Sequence, residues 1–275
     1  MTLRPDGLTP QTLQSASQSW WDDLFTRLLL EVVPLDTRQI VELDCGLAAA
    51  AHTLLPALPD ARYLGVDSDP ERLAEAKAQL EGARIAPRAE LRLTPATAIP
   101  LEDGAADVVL SIMSLQHLPD LSAVLAEANR VLSSGGRLVA VEPDNLGQRF
   151  YFDGVLEEID QVMHALCLRA RVARQPSDIA VGPRLPALLR TAGFHDIRMV
   201  AHVVHSTRVE AASAFFARLH RVAGSVAREA GIADDDPAVV ACDQAINRSL
   251  YADLPKRLGF SCHAVPVFRS LGVKS

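Results

Sequence analysis

Apolar and polar positions change their period several times between residues 39 and 143. The runs Gln39–Leu43 and Ala61–Val66 are short and apolar, which is typical of buried parallel strands. Leu47–Leu58, between them, carries alanines and leucines that favour a helix, and Pro59 is a stop signal. This order predicts a strand–helix–strand unit, whose right-handed crossover places the turn after the first strand beside the end of the second.

The remaining periodicity predicts further elements on both sides of this unit. Six stretches are predicted as helices: Ser19–Val33, Pro70 to about Leu80, Asp153–Ala173, Gly182–Ala192, Val209–Ala230 and about Pro237 to Leu250. Four are predicted as strands: Glu90–Leu93, Ala106–Ser111, Phe194–His205 and Phe260–Arg269, the last two as antiparallel partners. Pro95 and Pro100 make residues 94–100 a loop.

The first predicted helix contains both tryptophans of the chain. Trp20 and Trp21 have two interpretations: they dock this helix on the core, or they line a substrate pocket as part of a flap. In either case we expect the helix to belong to a substrate lid, together with the helices predicted after residue 150.

Composition indicates a globular protein that binds small molecules. Its 275 residues are enough for one large α/β domain with an elaboration, and 49% of them are hydrophobic. The formal net charge of −7 gives no electrostatic attraction to nucleic acid or to an anionic membrane surface. We therefore expect a small-molecule substrate and no nucleic-acid or membrane partner, with a homodimer left open as the assembly.

Targeting and redox signals predict a cytoplasmic protein. Residues 1–19 lack the basic and apolar segments of a secretory signal, and the apolar run Leu28–Leu35 is too short to span a bilayer. The four cysteines are scattered without a metal-binding or disulfide spacing. His202 and His205 point to opposite faces of a predicted strand, so no metal site is predicted.

Two carboxylates lie at the predicted carboxyl edge of neighbouring strands. Glu42 closes the first strand and Asp67 the second, with the turn Asp44-Cys45-Gly46-Leu47-Ala48 between them. Small residues in the turn let a ligand approach the backbone, and the following helix presents free N–H groups. Asp67 follows the turn by about 20 residues, the spacing of an acid that binds ribose hydroxyls. The pattern indicates a nucleoside site, although any α/β domain can end a strand in a capping Asp.

Residues beyond this unit carry a resemblance to a known family. The run PLEDGAADVVLS at residues 100–111, followed by LQHLPD at 115–120, looks like the segment around the fourth strand of class I S-adenosylmethionine-dependent methyltransferases. The continuation AEANRVLSSGGRLVAVEP at 126–143 resembles their next helix, a turn at Gly135-Gly136 that ends this helix, and their fifth strand. The resemblance extends in unbroken order from about Ile40 to Pro143. It implies a doubly wound α/β fold with a seven-stranded Rossmann-like sheet and helical lid insertions, and S-adenosylmethionine as the cofactor.

The glycine-rich motif departs from the family pattern. Asp44, Gly46 and Ala48 stand where the family has three glycines, so one glycine has become a carboxylate and another has gained a methyl group. Pro95 and Thr97 occupy the loop where the family often has an adenine-binding Asp. We expect the fold to be kept and cofactor binding to be weakened.

The resemblance implies a site built from several strand ends. Asp67 is expected on the ribose hydroxyls, the turn against the methionine portion, and Ser111 to Met113 near the adenosine and the methyl group. His117, just after the fourth strand, is interpreted either as a general base or as a structural residue that caps its turn. The cofactor-binding residues predicted in this way are Glu42, Asp44, Gly46, Ala48, Asp67, Ser68, Ala96, Thr97, Ser111 and Met113.

These inferences predict a methyltransferase of small, hydrophobic or aromatic acceptors, of the kind common in specialised or quinone metabolism. The alternative is a protein of the same fold that does not methylate and has another reaction or a binding role. A nicotinamide dehydrogenase is a third interpretation, which the residues after strand four disfavour. The predicted organisation is a helical cap at residues 1–36, the cofactor-binding core at 37–150, inserted lid helices at 151–185, and the rest of the core at 186–275 with a helical insertion at about 207–258.

Overall fold

The computed structural model describes residues 23–152, 157–173, 178, 180–251 and 258–275. Its strands are β1 (Gln39–Leu43), β2 (Arg62–Asp67), β3 (Ala89–Leu93), β4 (Ala106–Ile112), β5 (Leu132–Pro143), β6 (Arg149–Phe152), β7 (Phe194–Ala211) and β8 (Leu258–Lys274). Its α-helices are α1 (Asp23–Leu30), α2 (Ala49–Ala57), α3 (Pro70–Leu80), α4 (Leu121–Val131), α5 (Glu157–Ala173), α6 (Leu185–Thr191), α7 (Ala212–Glu229) and α8 (Pro237–Tyr251).

The chain divides into two units, which are described separately. Of the described residues, the core unit comprises 23–143, 181–201 and 267–275, and the helical unit comprises those that lie within 144–180 and 202–266. Strands β7 and β8 contribute residues to both units.

The core unit is built on a largely parallel sheet. Its parallel part has the order β3-β2-β1-β4-β5. β8 pairs antiparallel with β5, from Arg137↔Val273 to Pro143↔Val267, and β7 also pairs with β8. The predicted α/β fold with a seven-stranded Rossmann-like sheet is confirmed.

The strands of this sheet are apolar because helices cover it. Val41, Val66 and Val109, from three neighbouring strands, pack into one buried cluster with Val124 and Leu125 of α4. Strands that are buried on both faces have no need of alternating polar residues, which is why their sequences are continuous apolar runs.

Parallel pairing brings the ends of β1, β2 and β4 to one edge of the sheet. Leu43, the last residue of β1, pairs with Val66 of β2 and with Ser111 of β4. The residues that follow these positions in the chain therefore start from neighbouring points, as the crossover rule predicts.

One prediction about the core unit is wrong. Gly135-Gly136 do not end a helix, because α4 ends at Val131 and both glycines lie within β5. The register between β4 and β5 shifts there, since β5 contains extra residues that bulge from the ladder. Gly135 has a φ of 79°, and a Cβ on Gly136 would lie 2.8 Å from a backbone oxygen. The glycines are thus explained by the bulge.

Helix α1 is anchored on the core unit. Its Phe25 and Leu29 side chains are buried. The guanidinium of Arg137 on β5 donates a hydrogen bond to the carbonyl oxygen of Val32 at 2.9 Å. These contacts hold the segment between α1 and β1 against the sheet.

Several predictions fall outside the described residues. Trp20 and Trp21 belong to this group, so both of their interpretations stay predictions. The same holds for residues 153–156, the beginning of the predicted helix that the structure describes from Glu157 onward.

Some element bounds differ from the predicted ones for local reasons. α2 ends at Ala57 and contains Pro56 in its last turn, whereas the sequence predicts its end at Pro59. β7 extends through Val209, which is 73% exposed and was expected to begin a helix. The short strand β6 was not predicted, and it pairs antiparallel with β8 in the helical unit.

The helical unit has a hydrophobic core of its own. α5, α7 and α8 contribute its buried side chains, among them Ile159, Met163, Phe215, Phe216, Leu219 and Ile246. Their spacing on each helix is the amphipathic pattern that predicted the helices. That they form a substrate lid stays a prediction.

Candidate functional site

The turn after β1 has a backbone that normally requires glycine. Asp44, Gly46 and Ala48 have φ values of 48°, 52° and 56°. This left-handed region costs roughly 1–2 kcal/mol for a residue with a Cβ. The alternation explains why three glycines are expected at these positions, and Asp44 and Ala48 adopt it in spite of the strain.

Asp67 fixes this turn from the end of β2. Its Oδ2 accepts the N–H of Gly46 at 2.9 Å, and its Oδ1 accepts the N–H of Asp69 at 2.9 Å. Asp67 is buried, being 1% exposed. Each carboxylate oxygen can accept more than one hydrogen bond, but the side chain itself has no exposed surface in this structure.

The carboxylate of Asp44 faces a cation that sequence reasoning missed. Nη1 of Arg72, on α3, lies 3.5 Å from Oδ1 of Asp44 and 3.7 Å from Oδ2 of Asp67. Its Nε lies 3.6 Å from Oδ2 of Asp69. Since the arginine is partly exposed, each pair contributes at most about 1 kcal/mol. The sequence offered one indication of this cation, since Arg72 lies two residues after Pro70, which opens α3.

Glu42 lies buried at the end of β1. The hydroxyl of Tyr63 on β2 donates a hydrogen bond to its Oε2. Burial raises the pKa of Glu42 to about 8, the negative charges of Asp44 and Asp67 add to the rise, and the Tyr63 hydrogen bond opposes it. The carboxyl group is therefore mostly protonated at pH 7.

Cys45, within the turn, packs against β2. A Cβ on Gly65 of β2 would lie 2.7 Å from its Sγ, so the two residues are in close contact. Burial is the main cause that raises the pKa of the thiol. Because the thiolate is the reactive form, this cysteine is poorly suited to act as a nucleophile.

The end of β4 and the loop after it carry three of the predicted site residues. Ser111 is fully buried, and its Oγ lies 2.7 Å from Oγ of Ser114. Met113 has a φ of 61°, and its N–H donates to a carbonyl oxygen of β5 at 2.8 Å. His117 ends a short 3-10 turn, and its side chain is exposed.

A buried carboxyl group that was not singled out from the sequence lies beside this loop. Oε1 of Glu142 accepts the N–H groups of Ser114 and Leu115, both at 2.9 Å, and lies 3.4 Å from Oγ of Ser111. Burial raises the pKa of Glu142 to about 8, and the hydrogen bonds from the loop act in the opposite direction. The available signal was an acid at the end of an apolar strand, as with Glu42 on β1.

The loop after β3 presents one of the remaining predicted residues and buries another. Thr97 is exposed, whereas Ala96 packs into the core cluster. Ser68, directly after β2, is exposed. Arg130 of α4 holds the end of this loop by donating to the carbonyl oxygens of residues 99 and 101.

The predicted site residues thus form two groups at one edge of the sheet. Glu42, the turn and Asp67 belong to the first, which hydrogen bonds join across β1 and β2. Ser111, Met113 and His117 belong to the second, which lies at the end of the neighbouring strand β4 and in the loop after it.

Comparison with known proteins gives this arrangement a family. Residues 41–140 match the family described as Methyltransferase domain. Demethylmenaquinone methyltransferase of Thermus thermophilus is 30% identical over 184 residues, which are 63% of this chain and 80% of that protein. The chain belongs to the class I S-adenosylmethionine-dependent methyltransferase family.

Two further proteins are similar to this chain over a smaller share of their own length. Trans-aconitate 2-methyltransferase of Methylobacterium radiotolerans is 31% identical over 170 residues, 62% of this chain and 59% of that protein. The solved structure of phosphoethanolamine N-methyltransferase 2 from Haemonchus contortus has a TM-score of 0.51 at 15% identity, with 94% of this chain and 52% of that chain covered. The chain spans 30%, 59% and 61% of the lengths of three curated relatives that it matches.

S-adenosylmethionine is the cofactor of this family, and the core unit has features that fit it. A Cβ on Gly46 would meet no atom within 4 Å, so the centre of the turn opens onto free space. No side chain caps the first turn of α2 among the described residues, which leaves its N-terminus available to an anionic group. Asp67 lies at the end of the next strand, where ribose hydroxyls are bound in such folds.

None of the helices in the described ranges is both long and apolar enough to span a bilayer.

Proposed function

We propose that this chain transfers the methyl group of S-adenosylmethionine to a small, hydrophobic or aromatic acceptor of specialised or quinone-type metabolism. The observation that carries the proposal is the hydrogen bond between Gly46 and Asp67, which holds the glycine-centred turn against the acid of the next strand. Similarity to an enzyme named for a menaquinone precursor supports an acceptor of this class.

Within this proposal the turn and the strand ends hold the cofactor. Gly46 and the N-terminus of α2 bind the methionine portion, Asp67 accepts hydrogen bonds from the ribose hydroxyls, and Thr97 lies on the adenine side. When bound, S-adenosylmethionine supplies an electrophilic methyl group on a sulfonium. The neutral Glu42 carboxyl group below the turn adds no charge there at pH 7.

His117 is the proposed general base. Its side chain is exposed beside the loop that follows β4, where it can accept a proton from an acceptor hydroxyl or amine. Alignment of acceptor and methyl group in a water-poor pocket supplies much of the acceleration in such displacements. His117 therefore adds to a reaction that positioning already favours.

The first experiment identifies what the purified protein carries and makes. Protein would be denatured and the released nucleosides identified by mass spectrometry, and separate samples would be incubated with S-adenosylmethionine and a panel of quinones and phenols. Released S-adenosylhomocysteine, together with its formation in the presence of an acceptor, is the expected result. Released NAD would overturn the proposal.

A second candidate function keeps the fold but not the methylation. The pair Asp44–Arg72 favours it, because it places a carboxylate in a turn that methyltransferases build from glycine, with a guanidinium beside it. In that case the protein binds the nucleoside and forms no S-adenosylhomocysteine with any acceptor of the panel. The same incubation therefore separates the two functions.

The proposal includes a cytoplasmic protein that acts on a small molecule without nucleic acid. Its four cysteines are free thiols, as expected in a reducing compartment. Light scattering of the purified chain would test whether a homodimer forms, and fractionation of cells would test the location.

A further inference from the structure

Glu142 is a buried acid whose position stability alone does not explain. Its Oε2 has no hydrogen-bond partner among the described residues, and the residue is 0% exposed. Burying a polar atom without a partner costs folding free energy, and an apolar side chain of similar size would avoid that cost. The other oxygen, Oε1, accepts hydrogen bonds from the N–H groups of Ser114 and Leu115 and lies 3.4 Å from Oγ of Ser111.

The two backbone hydrogen bonds come from the loop after β4. The N–H groups of Ser114 and Leu115 donate to Oε1 of Glu142 at 2.9 Å each. On the other side, the N–H of Met113 donates to the carbonyl oxygen of Val141 at 2.8 Å. Three successive N–H groups of the loop are thus held by two successive residues of β5.

The hydrogen bonds hold a conformation that the loop would otherwise avoid. Met113 has a φ of 61°, in a region that is sterically unfavourable for a side chain of its size. The two residues that follow it are the ones bound by Glu142, and they lead into the short 3-10 turn that ends at His117. Without the acceptor, the loop has less to offset this strain.

We propose that Glu142 is a positioning residue of the methyl-transfer site. Through Ser114 and Leu115 its carboxyl group fixes the loop of residues 113–117, and thereby places Met113 beside the cofactor and His117 beside the acceptor. Glu142 itself touches neither. The inference rests on the proposed function and adds a residue that acts through the loop.

The test compares three variants of the full chain. Glu142→Met keeps the volume but removes the acceptor, and Glu142→Gln keeps a carbonyl oxygen that can accept the same N–H groups. Val139→Ala, on the same strand and fully buried, weakens the core without touching the loop. Each would be measured for binding of S-adenosylhomocysteine, for kcat and KM, and for thermal stability.

We expect Glu142→Met to weaken S-adenosylhomocysteine binding at least about fivefold and to lower kcat by up to about 10²-fold, as for a misplaced reacting group. Glu142→Gln should stay within about threefold of the wild type, and Val139→Ala should keep its kcat at a comparable loss of stability. If Glu142→Met and Val139→Ala lower kcat equally, the effect is structural and the proposal is wrong. If Glu142→Gln is as impaired as Glu142→Met, the acceptor oxygen is not what matters and the proposal is wrong as well.

Amide exchange separates this inference from the proposed function. In the wild type and Glu142→Gln, the amides of Ser114 and Leu115 should be protected, and in Glu142→Met they should exchange rapidly. Absence of S-adenosylhomocysteine binding by the wild type would overturn the proposed function, whatever the exchange shows. Equal exchange in all three proteins would overturn the role of Glu142 even in an active enzyme.

Discussion

The N–H of Gly46 lies 2.9 Å from Oδ2 of Asp67, and this hydrogen bond spans 21 residues of the sequence. It makes the acid at the end of β2 a structural part of the turn after β1. The carboxylate proposed to bind ribose is therefore also the group that shapes the turn. Substitutions of Asp67 act on both functions, and different replacements separate them.

Replacing Asp67 should weaken cofactor binding. Asp67→Ala removes the charged acceptor, and we expect the binding free energy of S-adenosylhomocysteine to fall by about 1.5–3 kcal/mol. Asp67→Asn keeps a carbonyl oxygen for Gly46 and should lose less. Isothermal titration calorimetry measures both.

A matched control for this prediction is available in α4. Asp120 accepts the N–H of Ala123 at 2.9 Å as an N-cap, away from the turn. Asp120→Ala should cost about 1 kcal/mol of stability and leave the affinity unchanged. An unchanged affinity in Asp67→Ala would mean that Asp67 does not bind the ribose.

His117→Ala should separate chemistry from binding. If His117 is the general base, turnover falls about 10²-fold or more, whereas the affinity for S-adenosylhomocysteine stays close to that of the wild type. His195→Ala, at an exposed position on β7, serves as the control and should keep full turnover. Turnover that survives in His117→Ala would favour the structural interpretation, in which positioning alone carries the reaction.

Asp44→Gly should tighten cofactor binding. The wild type is expected to bind weakly, with a dissociation constant of tens of micromolar or poorer, about −6 kcal/mol. Glycine relieves the strain at φ 48° and removes the carboxylate that faces Arg72. Titration with S-adenosylmethionine measures the change.

Ala48→Gly provides the comparison for this substitution. Ala48 has a φ of 56° and is fully buried, and it carries no charge, so the variant reports strain relief alone. Tighter binding in both variants would assign the weakness to strain, and tighter binding in Asp44→Gly alone would assign it to the carboxylate. Loss of activity in Asp44→Gly without a gain in affinity would support the non-methylating alternative.

Stability should depend on pH through Glu42. Burial raises its pKa from 4.5 to about 8 in the folded state, so the folded protein holds this proton more tightly than the unfolded chain. Its contribution to stability is therefore present below pH 4.5 and is lost progressively as the pH rises to about 8. The loss is roughly 1.4 kcal/mol for each pH unit in this window.

Glu42→Gln tests the sign of this effect. Urea denaturation at pH 5 and pH 8 should show a larger fall in the free energy of unfolding for the wild type than for the variant, by on the order of a few kcal/mol. Glu142 has a similarly raised pKa, and its contribution is common to both proteins. Equal falls would mean that Glu42 is ionised in the folded protein.

Much of the core unit could be predicted because the patterns that specify its strands and helices lie within short stretches of the sequence. The apolar run Gln39–Leu43 and the Asp69-Pro70 helix start gave β1 and the bounds of α3 as observed. The crossover rule then placed Asp67 beside the turn, which the hydrogen bond to Gly46 confirms. The role of Gly135-Gly136 could not be predicted in this way. A bulge is defined by the register of β5 with β4, and the sequence of β5 alone does not specify that register.

By itself, the sequence determined the family, the α/β core and the identity of the strand-end acids, because hydrophobic period and motif spacing follow directly from the order of residues. Tertiary structure alone decided the charges and partners of these acids. Burial makes Glu42 a largely neutral group bonded to Tyr63, and Arg72 comes to face Asp44 from another helix. Glu142 binds a loop 27 and 28 residues away in the chain. Solvation and long-range hydrogen bonds depend on which distant residues meet, and that is fixed only when the strands are paired.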